Sequence, residues 1–186
     1  MDDKEQSLKT DNFGQNFWSL RESIGKKATN HEDSTTLKST VMQAYNGFGK
    51  LIYNNSFLNW GFYNWLIHYE YNKLPFDFNR YSYWQDIYSQ LLYYYLIRYP
   101  FKQHFFNKNI LDIGCGTGIG LQMGNEILRA KLAVGLDLSS EVLSKFQAPD
   151  HFKGKVIRVQ GDAEHIPLAD HSFDIITSLE SSHPYP

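Results

Sequence analysis

Asn109 to Gly120 reads NILDIGCGTGIG, and this stretch decides the fold. Ile110, Leu111 and Ile113 form an apolar run of buried-strand length. Glycines then recur at every second position: Gly114, Gly116, Gly118 and Gly120. A strand that opens into such a loop brings bare main chain against a ligand, with no Cβ in the way. The spacing excludes two ligand classes. The dinucleotide fingerprint G-x-G-x-x-G, or its variant with a final Ala, fails in every frame, because its last position falls on Ile119, Leu121 or Met123. The phosphate-loop pattern fails too, since no Gly-Lys-Ser/Thr follows. What stands is an acid, Asp112, followed by G-x-G-x-G.

Downstream, strands and helical patterns alternate. Ile119, Met123, Ile127 and Leu128 give a helical face, and Leu132 to Leu136 a second buried strand closed by Asp137. Ser139 or Ser140 caps a helix carried by Val142, Leu143 and Phe146. Lys155 to Gln160 and Phe173 to Thr177 read as strands three and four. This alternation predicts an α/β fold with a parallel sheet of about four strands.

Upstream, the chain is helical in pattern. A helix starts near Ser34 to Thr36, with Leu37, Val41, Tyr45 and Phe48 on one face. Phe57 to Tyr63, aromatic around Gly61, is core or pocket wall. Trp84, Ile87, Tyr88, Leu91, Leu92, Tyr95 and Leu96 keep the strongest helical period in the chain, and Pro100 ends it. This stripe is expected to cover one face of the sheet. Three segments result: residues 1–34, polar and poorly ordered; 35–106, an aromatic-rich helical cover; and 107–186, a Rossmann-like half-domain.

Composition narrows the partners. A formal net charge of −2 gives no electrostatic footprint for nucleic acid. The single cysteine, Cys115, makes no internal disulfide and fits a reducing compartment, the cytoplasm. The N-terminal residues carry no secretory pattern. No apolar run approaches the roughly 18 residues of a membrane span. The histidines show no metal-ligand spacing with one another or with Cys115, so no metal is expected. Between loop glycines, Cys115 reads as a small residue and not as a nucleophile.

Two further acids fall where the strands end. Asp137 lies 21 residues past Gly116, a position suited to accepting bonds from both hydroxyls of a ribose. Gly161-Asp162-Ala163 follows strand three, where an Asp accepts from an adenine amine and a neighbouring N–H serves a ring nitrogen. The plainer roles are helix cap for Asp137 and turn residue for Asp162.

In order and spacing, Asp112 to Gly118, Gly135-Leu136-Asp137, Gly161 to Glu164 with Pro167, and Ser172-Phe173-Asp174 resemble the class I S-adenosylmethionine (SAM) dependent methyltransferases, of the type 11 group. The resemblance implies a Rossmann-like methyltransferase fold with SAM across the strand ends. Asp112, Gly114, Gly116 and Gly118 would meet its methionine part, Asp137 and Leu138 its ribose, and Asp162 and Ala163 its adenine. Leu58-Asn59-Trp60-Gly61-Phe62 and Leu179 to Pro186 are similar to small-molecule and lipid O-methyltransferases, including phthiotriolone dimycocerosate and sugar enzymes. This implies a small-molecule or lipid acceptor, cofactor contacts from Trp60 and Glu180, and a general base at His183, three residues after Glu180. The plainer role of His183 is an exposed residue in a Pro-rich tail.

Strands five to seven of that family have no counterpart in these residues, so strand four is expected to be an exposed edge open to self-association. Three functions follow: a hydroxyl-directed methyltransferase, a catalytically incomplete SAM-binding remnant or interaction module, and, disfavoured by the failed fingerprint, a nicotinamide oxidoreductase.

Overall fold

The structure, a computed structural model, describes residues 34–50, 87–98, 106–147, 150–152 and 154–181. The polar segment 1–34, apart from its last residue, and the aromatic stretch around Trp60 lie outside the described residues. Two helices come first, α1 (Ser34–Gly49) and α2 (Ile87–Arg98). Then follow β1 (Asn109–Ile113), α3 (Ile119–Leu128), β2 (Leu132–Asp137), α4 (Ser140–Ser144), a 3-10 turn at Asp150–Phe152, β3 (Val156–Gln160) and β4 (Ile175–Ser178). The described residues fall into two compact units, one ending at Tyr45 and the other beginning at Asn46.

All four strands are parallel, in the order β3-β2-β1-β4. The period of two sorts each strand between two faces. On β1, Ile110 and Asp112 point to one side and Leu111 and Ile113 to the other. Ile110, Ala133, Val156 and Ile175 join Leu91, Tyr93, Tyr94 and Ile97 of α2 and Ile119 and Met123 of α3 in the larger core. Leu111, Val134 and Leu136 form a smaller cluster on the opposite face, with Leu168 and Phe173 packed on it.

Strand four starts later than expected. Asp174 is not yet in the strand; its Oδ2 accepts the Asn109 amide proton at 2.9 Å, and Phe173 leans into the smaller cluster. The Asp174 amide in turn donates to Asn109 O at 3.0 Å, so side chain and main chain together close this end of the sheet.

Helix α2 forms where its period places it, but it is rotated. Of the predicted stripe, Leu91 is buried while Leu92, Tyr95 and Leu96 are only half-buried; Gln90, Tyr93, Tyr94 and Ile97 are buried instead. The cause is on α3. A Cβ on Gly120 would lie 2.1 Å from the Tyr93 ring, and one on Gly124 would lie 2.9 Å from Ile97 Cδ1. These two glycines, one turn apart, make a notch into which Tyr93 and Ile97 fit. The notch fixes the face that hydrophobicity alone left ambiguous.

Candidate functional site

The loop after β1 is shaped by left-handed glycines. Gly114, Gly116 and Gly118 have φ of 70°, 58° and 75°, which only glycine adopts without strain. Leu136 O accepts from both Gly114 N and Cys115 N, at 2.8 and 3.0 Å, so the loop is anchored on the end of β2. Cys115 is buried, in the space left by Gly135, whose Cβ would come within 2.6 Å of its sulfur. Burial pushes its thiol well above the ordinary range, which suits a packing residue and not a nucleophile.

Asp137 joins the loop to the second strand. Its Oδ2 accepts from Gly116 N and its Oδ1 from Ser139 N, both at 2.9 Å. Ser139 caps α4 by accepting from Val142 N, and its hydroxyl donates to Asn46 Oδ1 at 2.7 Å. Burial raises the Asp137 pKa, against the lowering by backbone N–H groups. The Leu138 backbone N–H also bonds this carboxylate; a carboxylate offers about four lone-pair sites, so a ligand hydroxyl can still reach it.

The turn after β3 lies beside it. Gly161 N donates to Asp137 O at 3.0 Å. Asp162 is a turn residue here: its Oδ1 accepts from Glu164 N at 2.9 Å and its main-chain oxygen from His165 N at 3.0 Å. Ala163 is half-buried in the same turn. Ligand atoms of Asp162, Glu164 and His165 come within 4.8 Å of one another, a grouping that His and Cys spacing did not suggest.

The structure thus brings Gly114, Gly116, Gly118, Asp137, Leu138, Asp162 and Ala163 to the carboxyl ends of β1, β2 and β3. Asp112 is placed differently. It is 1% exposed, on the core side of β1, with Tyr93 Oη donating to Oδ2 at 3.1 Å and Thr177 Oγ1 donating to Oδ1 at 2.7 Å. Burial raises its pKa to about 6, opposed by those two hydroxyls. Glu180 is exposed, with φ of 50°. Beside it, Ser181 lies against Gly114, and its hydroxyl donates to Ile113 O at 3.0 Å. Trp60 and His183 lie outside the described residues.

Sequence reasoning missed Tyr93, Thr177, Asn46 and Ser181. The period-two pattern alone shows that Asp112 shares a face with Ile110, and so that a buried acid needs donors. Which residues supply them depends on tertiary packing.

Residues 111–185 match the family model for the methyltransferase domain. Over this segment the chain is similar to methyltransferase domains. The fatty-acid O-methyltransferase of Mycolicibacterium smegmatis is 37% identical over 79 residues, which cover 42% of this chain and 28% of that protein. The probable phthiotriol/phenolphthiotriol dimycocerosates methyltransferase 2 of Mycobacterium ulcerans is also 37% identical over 79 residues, covering 42% and 30%. A solved SAM-dependent methyltransferase from Mesorhizobium loti is 27% identical, with a TM-score of 0.39 over 45% of this chain and 36% of that one. The matched segment therefore spans less than a third of these curated relatives. No helix among the described residues is long and apolar enough to cross a membrane.

Proposed function

We propose that residues 107–186 hold SAM, and that the protein transfers its methyl group to a hydroxyl oxygen of a small-molecule or lipid acceptor, in the reducing setting of the cytoplasm. The observation that carries this reading is the Gly116–Asp137 bond: a glycine loop with no Cβ toward its ligand, held by the carboxylate at the end of β2. SAM supplies a methyl group already activated by its sulfonium. The remaining task of the chain is to bind, align and keep the site dry, and alignment alone supplies up to about 7–11 kcal/mol in favourable cases.

In this reading Gly114 to Gly118 lie along the methionine part, Asp137 takes the ribose hydroxyls, and Asp162 with Ala163 takes the adenine edge. Asp137 is preorganised for this, since the backbone amides of Gly116, Ser139 and Leu138 fix its carboxylate before any ligand arrives. His183 accepts the acceptor's hydroxyl proton, with Glu180 and Trp60 close to the cofactor. The lipid or small-molecule acceptor is carried over from the relatives named above. β4, at one edge of the described sheet, is a surface for self-association.

Calorimetric titration with SAM, then methyl transfer from labelled SAM to fatty-acid and glycoside acceptors, tests the reading. Binding with transfer supports it. Binding without transfer leaves a SAM-binding module, and tighter binding of NAD than of SAM overturns it.

A further inference from the structure

Asp112 plays no part in the chemistry above, yet it is the most enclosed carboxylate of the site. Four elements surround it. Tyr93 comes from α2, Thr177 from β4, Cys115 from the loop, and Asp137 from the end of β2. Its strand neighbours in register are Gly135 and Thr177. The hydroxyls of Tyr93 and Thr177 favour the charged form, and Asp137 opposes it. An ionised carboxylate buried to this degree is tolerated only with its donors in place.

Tyr93 reaches Asp112 through the notch at Gly120, the second residue of α3, and α3 begins where the glycine loop ends. One side chain therefore touches both sides of the loop: its ring lies on the helix that follows, and its hydroxyl holds the strand residue two before Gly114. We propose that Tyr93 is a positioning residue for the glycine loop, acting through Asp112 and tying the loop's geometry to helix α2. Its functional meaning rests on the reading of that loop as the SAM cradle.

The consequence is specific. Removing the phenolic O–H leaves Asp112 charged, buried and short of a donor, so the end of β1 loosens and the loop follows. Removing the charge as well relieves the defect, because a neutral amide at residue 112 is not stranded in the same way.

The test is hydrogen exchange of the ligand-free chain at neutral pH, with SAM titration alongside. Tyr93→Phe keeps the ring over Gly120. It is expected to speed exchange at the Gly114 and Cys115 amides on the order of tenfold, leaving Ala133 and Gly161 amides as in wild type. SAM affinity is expected to fall by a similar factor. Tyr93→Phe combined with Asp112→Asn is expected to return exchange to within about twofold of wild type. Thr177→Val, which removes the other donor, is expected to loosen the same amides. Unchanged exchange at Gly114 and Cys115, acceleration spread evenly over the sheet, or no rescue by Asp112→Asn would each overturn the proposal. If the local pattern and rescue appear but wild-type protein does not bind SAM, the positioning role stands and the cofactor reading fails.

Discussion

Gly116 donates its amide proton to Asp137 across 2.9 Å, so the acid at the end of β2 holds open the loop that follows β1. The same carboxylate takes the Ser139 amide at the start of α4. One residue thereby couples two strands, a loop and a helix. Asp137→Asn keeps the size but can accept on one atom only, leaving an amide N–H facing a backbone N–H. Loss of a charge-assisted bond costs about 1.5–3 kcal/mol. SAM affinity is expected to fall at least tenfold, by calorimetry, with unfolding shifted to lower urea. Unaltered affinity would remove Asp137 from the site.

Burial raises the pKa of Asp112 from 3.8 to about 6 and moves that of Asp137 in the same direction. The folded chain therefore binds more protons than the unfolded chain between about pH 4 and 6. The stability gained from these groups is fully present below the unfolded pKa and is lost as pH rises through the folded one. For Asp112 this is on the order of 3 kcal/mol. Urea unfolding of Asp112→Asn should show a flatter pH profile across that window than wild type, and no loss of stability at pH 7.5. A pH profile of Asp112→Asn that runs parallel to wild type across this window would contradict the burial of Asp112 as an ionisable acid.

Two glycine substitutions should have opposite signs. A Cβ at Gly120 meets the Tyr93 ring at 2.1 to 2.4 Å, whereas one at Gly47, inside α1, meets nothing within 4 Å. Gly120→Ala is expected to destabilise by about 1–3 kcal/mol through overpacking. Gly47→Ala is expected to stabilise by about 0.5–1 kcal/mol through helix propensity. Thermal unfolding of the pair checks both, and equal shifts would refute the notch that receives Tyr93.

These residues also show what was legible beforehand. The succession of strands and helices, the glycine loop, a serine cap at 139 or 140 and an acid at the end of the second strand are local patterns, and each was readable from spacing. The rotation of α2 was not. Tyr93 and Tyr95 differ little in hydrophobicity, and only the glycines on a helix beyond an intervening strand decide which is buried. For Asp112 the motif and its face on the strand were legible but its partners were not, because its donors come from residues 19 before and 65 after it.

His183 has the most direct kinetic test. A general base contributes roughly 10²–10⁴-fold. His183→Ala should lower turnover by that factor and leave SAM affinity unchanged. Wild-type turnover in this variant would assign His183 to the tail and not to the chemistry.

Ile176 is 60% exposed on β4, beside Leu111 of the smaller cluster in the sheet register. Across the same row lies Ile157, 41% exposed on β3. An edge strand with unpaired backbone groups and an apolar flank favours pairing with another copy, and charge on such an edge opposes it. If β4 is such an interface, wild type is expected to sediment as more than a monomer at high concentration and Ile176→Lys to sediment as a monomer. SAM affinity should hold, because Ile176 lies on the face opposite Asp112. A wild-type chain that remains monomeric at high concentration would exclude this edge as an interface, and a variant that loses SAM binding would place the smaller cluster inside the cofactor site.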